Sequence, residues 1–183
     1  MYILGLNAYH ADSSAAIFKD GIMIAATEEE RFTRVKHWAG FPVQAIKFCL
    51  REAGISLMDV DHITIGRDPK AKFLNKLNYL RRNPSLVFGA FKRFRNSREV
   101  SSLEKMFLLV DPNADEVIVR SRIRNIEHHR SHLASAFFAS PFDESAIVSL
   151  DGSGDFTTTM IATGKGNKME IIDSVDFPVS IGL

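Results

Sequence analysis

Cysteine is almost missing from this 183-residue sequence, and long apolar runs are missing altogether. The single cysteine, Cys49, excludes an internal disulfide framework, and its apolar helical context predicts a buried packing role. No apolar stretch reaches the roughly 18 residues that a membrane-spanning helix needs. The first residues, Met1 to Gly5, lack the basic start and apolar run of a signal peptide and favour a strand. We therefore expect a cytoplasmic protein with no membrane partner.

Two common catalytic motifs are also missing. Gly164-Lys165-Gly166 lacks the spacing and the Ser/Thr of a Walker-type phosphate loop, and no Gly-x-Ser-x-Gly nucleophile elbow occurs. The net charge is only +1, but ten Lys/Arg stand against one acidic residue between Arg67 and Arg98. Phenylalanines and leucines interleave with these cations. That pattern favours amphipathic helices packing on a domain or partner chain over nucleic-acid binding.

What is present predicts a mixed α/β order. Asp20-Gly21 is a hairpin turn between the second and third strands. One helix begins at Pro42 and ends at Gly54, the basic stretch is largely helical, and another helix covers His129–Ala139. An acidic glycine loop is predicted at Asp151–Asp155. The predicted strands are Tyr2–Asn7, Ala15–Lys19, Ile22–Thr27, His62–Gly66, Arg122–Glu127, Ala146–Leu150, Thr157–Thr163 and Met169–Val175.

The order of strand, polar loop and hairpin occurs twice, about 145 residues apart, which predicts a duplicated α/β fold. We interpret residues 1–140 as a first α/β subdomain with a basic helical insertion at about 67–120. Residues 141–183 are the truncated start of a second subdomain. The strand-end loops of two such halves would form a ligand cleft. The sequence is therefore expected to be a fragment of a longer protein.

His128 and His132 are the leading candidates for chemistry. Residues four apart share a helix face, so two imidazoles can converge on one ion. Asp151, at a predicted strand end, can supply a carboxylate oxygen, although a plain Asp-Gly turn is the alternative. Three N and O ligands leave a metal open to substrate, and they suit Fe, Zn or Mn without choosing among them. His129 lies one residue off the shared face and is not expected to be a ligand.

The first polar loop, residues 7–14, is a second candidate site. It places His10 and Asp12 directly after a strand, where they can accept a proton while backbone N–H groups bind phosphate. The alternative is an ordinary polar hairpin.

Two further segments are candidate substrate contacts. The charged run at 28–37 is either a solvated surface or a grip for an anion, with Arg34 and Lys36 among its cations. In the second segment, Gly152-Ser153-Gly154, the glycines let the backbone approach a ligand closely.

Four segments together resemble the carbamoyltransferases of the nodulation-protein and cephamycin-biosynthesis type. They are residues 4–16, the run at 28–37 with its Glu-Glu-Arg-Phe-Thr-Arg sequence, the His-His-x-x-His segment at 128–136, and Leu150–Gly154. The resemblance covers most of the chain except about 67–120, which looks like a variable insertion. It implies an actin-like, sugar-kinase-like ATPase fold of the ribonuclease H-like type. This chain would hold the first subdomain and the opening strands of the second.

The resemblance also implies a biosynthetic activity. Enzymes of this type form carbamoyl adenylate from carbamoyl phosphate and ATP in a separate C-terminal domain, which is missing here. The carbamoyl group then passes to the hydroxyl of a small-molecule acceptor at a metal site. The isolated 183-residue piece is therefore expected to be inactive. The alternatives are a noncatalytic metal- or nucleotide-binding module and an actin-like kinase or ATPase.

Specific residues follow from the resemblance. Arg34 and Lys36 would hold the anionic part of the substrate, and His10 or Asp12 would be the base. Many relatives place the histidine directly before the aspartate, whereas Ala11 separates the two here. The implied ligands of a divalent metal, usually iron, are His128, His132 and Asp151, with a further aspartate beyond Leu183.

Overall fold

The chain folds into two compact units, and each is described by itself. A computed structural model describes residues 1–84 and 103–182. Of these, residues 1–66 and 103–124 form the first unit, and residues 67–84 and 125–182 form the second. The part of the predicted basic insertion at 85–102 lies outside the described residues. Within the described ranges, no helix combines the length and apolar character needed to cross a bilayer.

A five-stranded sheet forms the centre of the first unit. Its strands are β1 (Tyr2–Asn7), β2 (Ser14–Lys19), β3 (Ile22–Glu28), β4 (His62–Ile65) and β5 (Ile123–Asn125). The spatial order is β3-β2-β1-β4-β5, with β2 antiparallel to β1 and β3 and with β4 parallel to β1. The predicted turn joins β2 to β3 because Asp20 and Gly21 both adopt positive φ, 52° and 85°, as a type I′ hairpin requires.

The helices lie between these strands. They are α1 (Glu30–Thr33), α2 (Val43–Ala53), α3 (Phe73–Arg82), α4 (Leu103–Met106), α5 (Glu116–Arg122) and α6 (His128–Phe138), with short 3₁₀ turns at Leu57–Asp59 and Phe107–Leu109. As predicted, α2 begins directly after Pro42 and ends at Gly54, whose φ of 65° caps it. The buried Glu29 carboxylate accepts from the N–H groups of Gln44 and Ala45, which satisfies the first turn of α2.

The apolar face of α2 closes the core of the first unit. It packs on β2 and β3, and the buried set includes Leu4, Ile17, Ile46, Ile63 and Phe107. Alternate residues of each strand point to this face, so the strand pattern alone selects them.

Cys49 belongs to this core, as predicted. Its side chain is fully buried, with Sγ 3.5 Å from the carbonyl oxygen of Ala15. Burial raises the pKa of the thiol to about 11. A thiol so rarely ionised at neutral pH is a packing group and not a nucleophile.

A three-stranded antiparallel meander forms the second unit. Its strands, in spatial order, are β6 (Glu144–Gly154), β7 (Thr157–Lys165) and β8 (Lys168–Asp176). Helix α6 packs on β6 and β7. The core between them consists of Leu133, Phe137, Ile147, Met160 and Ala162. Although α6 precedes residue 140, it therefore belongs to the second unit.

The predicted acidic glycine loop at Asp151–Asp155 is wrong. Strand β6 continues through Gly154, because Gly154 pairs with Thr157 of β7 after a register shift that begins at Leu150. A local bulge of this kind changes the direction of side chains while the strand goes on. Asp151 thus lies within an irregular strand and not on a free loop.

Helix α3 confirms the predicted helical character for the described part of the basic stretch. It docks on the β7–β8 hairpin through polar and aromatic contacts. The Lys72 amine, just before the helix, lies 2.8 Å from the Ser174 hydroxyl and 3.1 Å from the Asp176 carboxylate. The Tyr79 ring packs edge-on against Phe156 and Phe177.

The predicted α/β class is confirmed. The first sheet begins with an antiparallel hairpin pair, and β4 then adds beside β1. This strand order is that of the ribonuclease H-like, actin-like fold that the resemblance implies.

Candidate metal centre

The start of α6 is fixed by two carboxylates. Glu127 is the N-cap, and its side chain accepts from the N–H groups of His129 and Arg130 at 3.1 and 2.8 Å. The Asp155 carboxylate accepts from the His128 N–H at 3.0 Å. These bonds satisfy donors that a helix leaves unpaired at its start. They place His128 at the first helical position and His132 one turn later on the same face.

Three predicted ligand residues converge in the second unit. His128 Nε2 lies 2.8 Å from Asp151 Oδ2 and 3.0 Å from His132 Nε2, and the remaining pair, His132 Nε2 and Asp151 Oδ2, is 3.9 Å apart. Helix α6 contributes the two imidazoles and β6 the carboxylate, so the cluster exists only because α6 packs on β6. Among the described residues, this is the group of His, Cys, Asp or Glu side chains with spacing suited to an ion.

These separations fit one shared metal ion. Donor atoms 2.0–2.2 Å from a metal at angles of 90–110° lie about 2.8 to 3.6 Å from each other. Two of the three distances fall in that range. The third exceeds it by about 0.3 Å, which a small rotation of the half-exposed His132 side chain removes.

Proton bookkeeping at His128 also favours a cation. Its Nε2 faces both the Asp151 carboxylate and the ring nitrogen of His132. A ring nitrogen either carries a proton or offers a lone pair, so it cannot donate to Asp151 and accept from His132 together. An ion between the three atoms satisfies every lone pair. A set of two imidazoles and one carboxylate is typical of Fe(II) and also suits Zn or Mn.

The two shifted groups of the cluster are held in their ligand forms. Burial and the neighbouring His128 lower the pKa of His132, which favours the neutral imidazole. Burial alone would raise the pKa of Asp151, but hydrogen bonds from His128 and the Gly152 N–H outweigh it and leave that pKa below its ordinary value. A neutral imidazole and a carboxylate are the states that bind metal at neutral pH.

The Gly152–Gly154 segment shapes this cluster. The Gly152 N–H donates to Asp151 Oδ1 at 2.6 Å, while Ser153 is exposed. Gly154 is buried, and a Cβ built there would lie 2.6 Å from Nε2 of His128. The structure therefore gives Gly154 a requirement that sequence reasoning missed: it leaves room for the His128 ring. The predicted contact of this segment with substrate stays a prediction.

His129 is a second residue with an unforeseen part in the structure. It is fully buried, and its ring nitrogens contact the Ser149 hydroxyl at 2.8 Å and the Thr157 carbonyl at 2.9 Å. It is not among the three converging donors, in agreement with the prediction that it is not a ligand. Its burial was foreseeable only in part, because Leu133, four residues on, lies on the same face.

The other predicted site residues belong to the first unit. Asp12 Oδ1 contacts Nδ1 of His37 at 2.9 Å. The Asn7 side chain donates to the Asp12 carbonyl, which holds the loop in shape. The remaining candidates, His10, Arg34 and Lys36, are exposed. Sequence reasoning included His37 in the charged run but gave it no role. Its position at the end of that run was the available signal.

We expect His37 to titrate above the ordinary histidine range. The hydrogen bond to Asp12, and then the charge of that carboxylate, raise the pKa of His37. Because the folded-state pKa is raised, the pair stabilises the fold below the ordinary histidine pKa. This contribution is lost as pH rises through the folded-state value. NMR titration of the imidazole should show a high pKa that falls in Asp12→Asn. Glu30→Gln, which removes a weaker charge effect, should change it less, and equal shifts would contradict the assignment.

The fold and this cluster define an α/β protein of the actin-like class with a candidate metal centre. Comparison with known sequences then gives the family: residues 2–183 match the family described as carbamoyltransferase N-terminus. The chain belongs to that family, and the resemblance found in its motifs is confirmed.

Relatives support the same assignment. An uncharacterized protein of Synechocystis sp., sll1178, is 42% identical over 100% of this chain and 30% of its own length. The nodulation protein NolNO of Sinorhizobium fredii is 32% identical over 97% of this chain and 25% of its own length. The chain thus spans less than a third of these relatives. Among solved structures, YeaZ from Pseudomonas aeruginosa is similar at 15% identity and a TM-score of 0.47, over 100% of this chain and 71% of that one.

Proposed function

We propose that this chain is the part of an ATP-dependent O-carbamoyltransferase in which the carbamoyl group reaches its acceptor. Two independent observations support the proposal. The family match covers residues 2–183, and His128, His132 and Asp151 form a three-donor cluster. The cluster is the observation that carries the assignment of the site, because neither solubility nor folding requires two imidazoles and a carboxylate to meet.

The proposed reaction is an acyl transfer. A bond forms between the acceptor's hydroxyl oxygen and the carbamoyl carbon, and the bond from that carbon to the adenylate phosphate oxygen breaks. AMP leaves with the electron pair, and the hydroxyl proton passes to a base. His10 and Asp12 are the proposed bases, while Arg34 and Lys36 are proposed to hold the anionic part of the substrate.

His128, His132 and Asp151 would hold a divalent metal, for which iron is our proposal. A bound ion of this kind supplies Lewis-acid stabilisation of negative charge on a carbonyl or phosphoryl oxygen. The chain's own contribution is to fix the three donors. Glu127 and Asp155 anchor the start of α6, and the Gly152 N–H orients Asp151. We propose that formation of carbamoyl adenylate from carbamoyl phosphate and ATP takes place outside these 183 residues.

The proposal is tested in the full natural chain by separating activation from transfer. Exchange of labelled pyrophosphate into ATP, dependent on carbamoyl phosphate, reports adenylate formation. AMP release in the presence of both substrates reports its consumption. We expect His128→Ala to keep the exchange and to lose AMP release by more than about 100-fold.

Two results would contradict this function. Release of ADP without AMP would favour an actin-like kinase or ATPase. Absence of both exchange and AMP release, with metal still bound, would favour a noncatalytic binding module.

A further inference from the structure

His129 bridges the two elements that carry the metal donors. It follows His128 directly on α6, and Ser149, its hydroxyl partner, lies two residues before Asp151 on β6. Its other partner is the Thr157 carbonyl at the start of β7. One fully buried side chain therefore ties the helix of the imidazoles to the strand of the carboxylate.

The hydrogen bonds fix how the ring is used. A carbonyl oxygen only accepts, so the contact at 2.9 Å requires the proton on His129 Nε2. Nδ1 then accepts from the Ser149 hydroxyl at 2.8 Å. An acceptor and a donor on opposite sides of a rigid ring set both the distance and the rotation of α6 against β6 and β7.

The cluster depends on that alignment. Its donor atoms are separated by 2.8, 3.0 and 3.9 Å, and metal sites lose affinity when their ligands move by about 0.5 Å from the productive geometry. Apolar packing by Leu133 and Phe137 also holds α6 on the sheet, but packing alone permits small sliding motions that directional hydrogen bonds do not.

We propose that His129 is a positioning residue for the metal centre, acting through Ser149 and Thr157 and not as a ligand. This inference rests on the proposed function of His128, His132 and Asp151 as metal ligands. It assigns His129 a role in metal affinity beyond its contribution to the stability of the fold.

The test is Co²⁺ affinity of the full natural chain, read from the d–d absorption of the bound ion in competition with a chelator. His129→Ala should weaken Co²⁺ binding by roughly 10- to 100-fold and alter the absorption bands. His129→Gln, whose amide can still donate towards the Thr157 carbonyl, should recover part of the loss. Ser149→Ala removes only the hydroxyl and should cost roughly 3- to 10-fold, which keeps the test valid if His129→Ala does not fold.

Leu133→Ala is the matched control, because Leu133 is fully buried on the same helix and truncation removes packing without touching the hydrogen bonds. At a temperature where all variants are folded, we expect it to keep Co²⁺ affinity within about threefold of wild type. The inference is overturned if the His129 and Ser149 variants bind like wild type, or if Leu133→Ala weakens binding equally. A wild-type chain without Co²⁺ binding would instead overturn the proposed function, and the inference with it.

Discussion

His132→Ala is expected to remove stoichiometric metal from the full natural chain, with a loss of affinity of more than about 100-fold. The variant deletes one of three converging donors, and the remaining pair cannot hold an ion as firmly. The His132 side chain is 52% exposed, so its truncation leaves no core cavity. The free energy of unfolding without metal should change by no more than about 0.5 kcal/mol. Metal analysis after dialysis and a thermal unfolding curve measure the two effects separately.

His37→Ala is the control for this experiment. His37 is also an exposed histidine, but its partner is Asp12 in the first unit, so metal content should stay at the wild-type level. Equal metal content in wild type and His132→Ala would show that the three-donor cluster is not the binding site.

Gly154→Ala is expected to disrupt the same centre by a steric route. The new methyl group would overlap the imidazole of His128, and it would lie 2.6 Å from Nε2. Either the ring leaves the cluster or the end of β6 shifts, and both outcomes separate His128 from Asp151. We expect metal affinity to fall by more than about tenfold and overpacking to cost about 1–3 kcal/mol of stability. Isothermal titration with Co²⁺ and chemical unfolding measure the two losses.

Gly5→Ala provides a matched glycine control. Gly5 lies within β1, and a Cβ there would meet the Thr64 hydroxyl at 3.5 Å, an ordinary contact. Its metal affinity should equal that of wild type. The steric explanation fails if Gly154→Ala binds Co²⁺ as tightly as Gly5→Ala.

Local patterns were sufficient for most of the secondary structure. The Asp20-Gly21 turn, the bounds of α2 between Pro42 and Gly54 and the burial of Cys49 were all correctly predicted. Each depends on short-range physics: φ preferences at turns, the missing N–H of proline, and apolar residues at helical spacing. Neighbours in the sequence determine these features, so no tertiary information was needed.

The irregular end of β6 was beyond such patterns. Gly152 and Gly154 beside acidic residues favour a loop by composition, yet the segment is paired with β7 through Gly154. Pairing across strands depends on the partner's register. A single sequence does not show how far the ladder continues past a bulge.

By itself, the sequence determined the α/β class, the family resemblance and the candidate ligands, because residue type and helical spacing fix which side chains share a face. Only the tertiary structure decided that His128, His132 and Asp151 meet, since Asp151 approaches only when α6 packs on β6. The same packing buried His129 between Ser149 and Thr157 and made Gly154 a steric requirement of His128. Contacts between residues more than twenty positions apart depend on how elements dock, and local propensity carries no information about that docking.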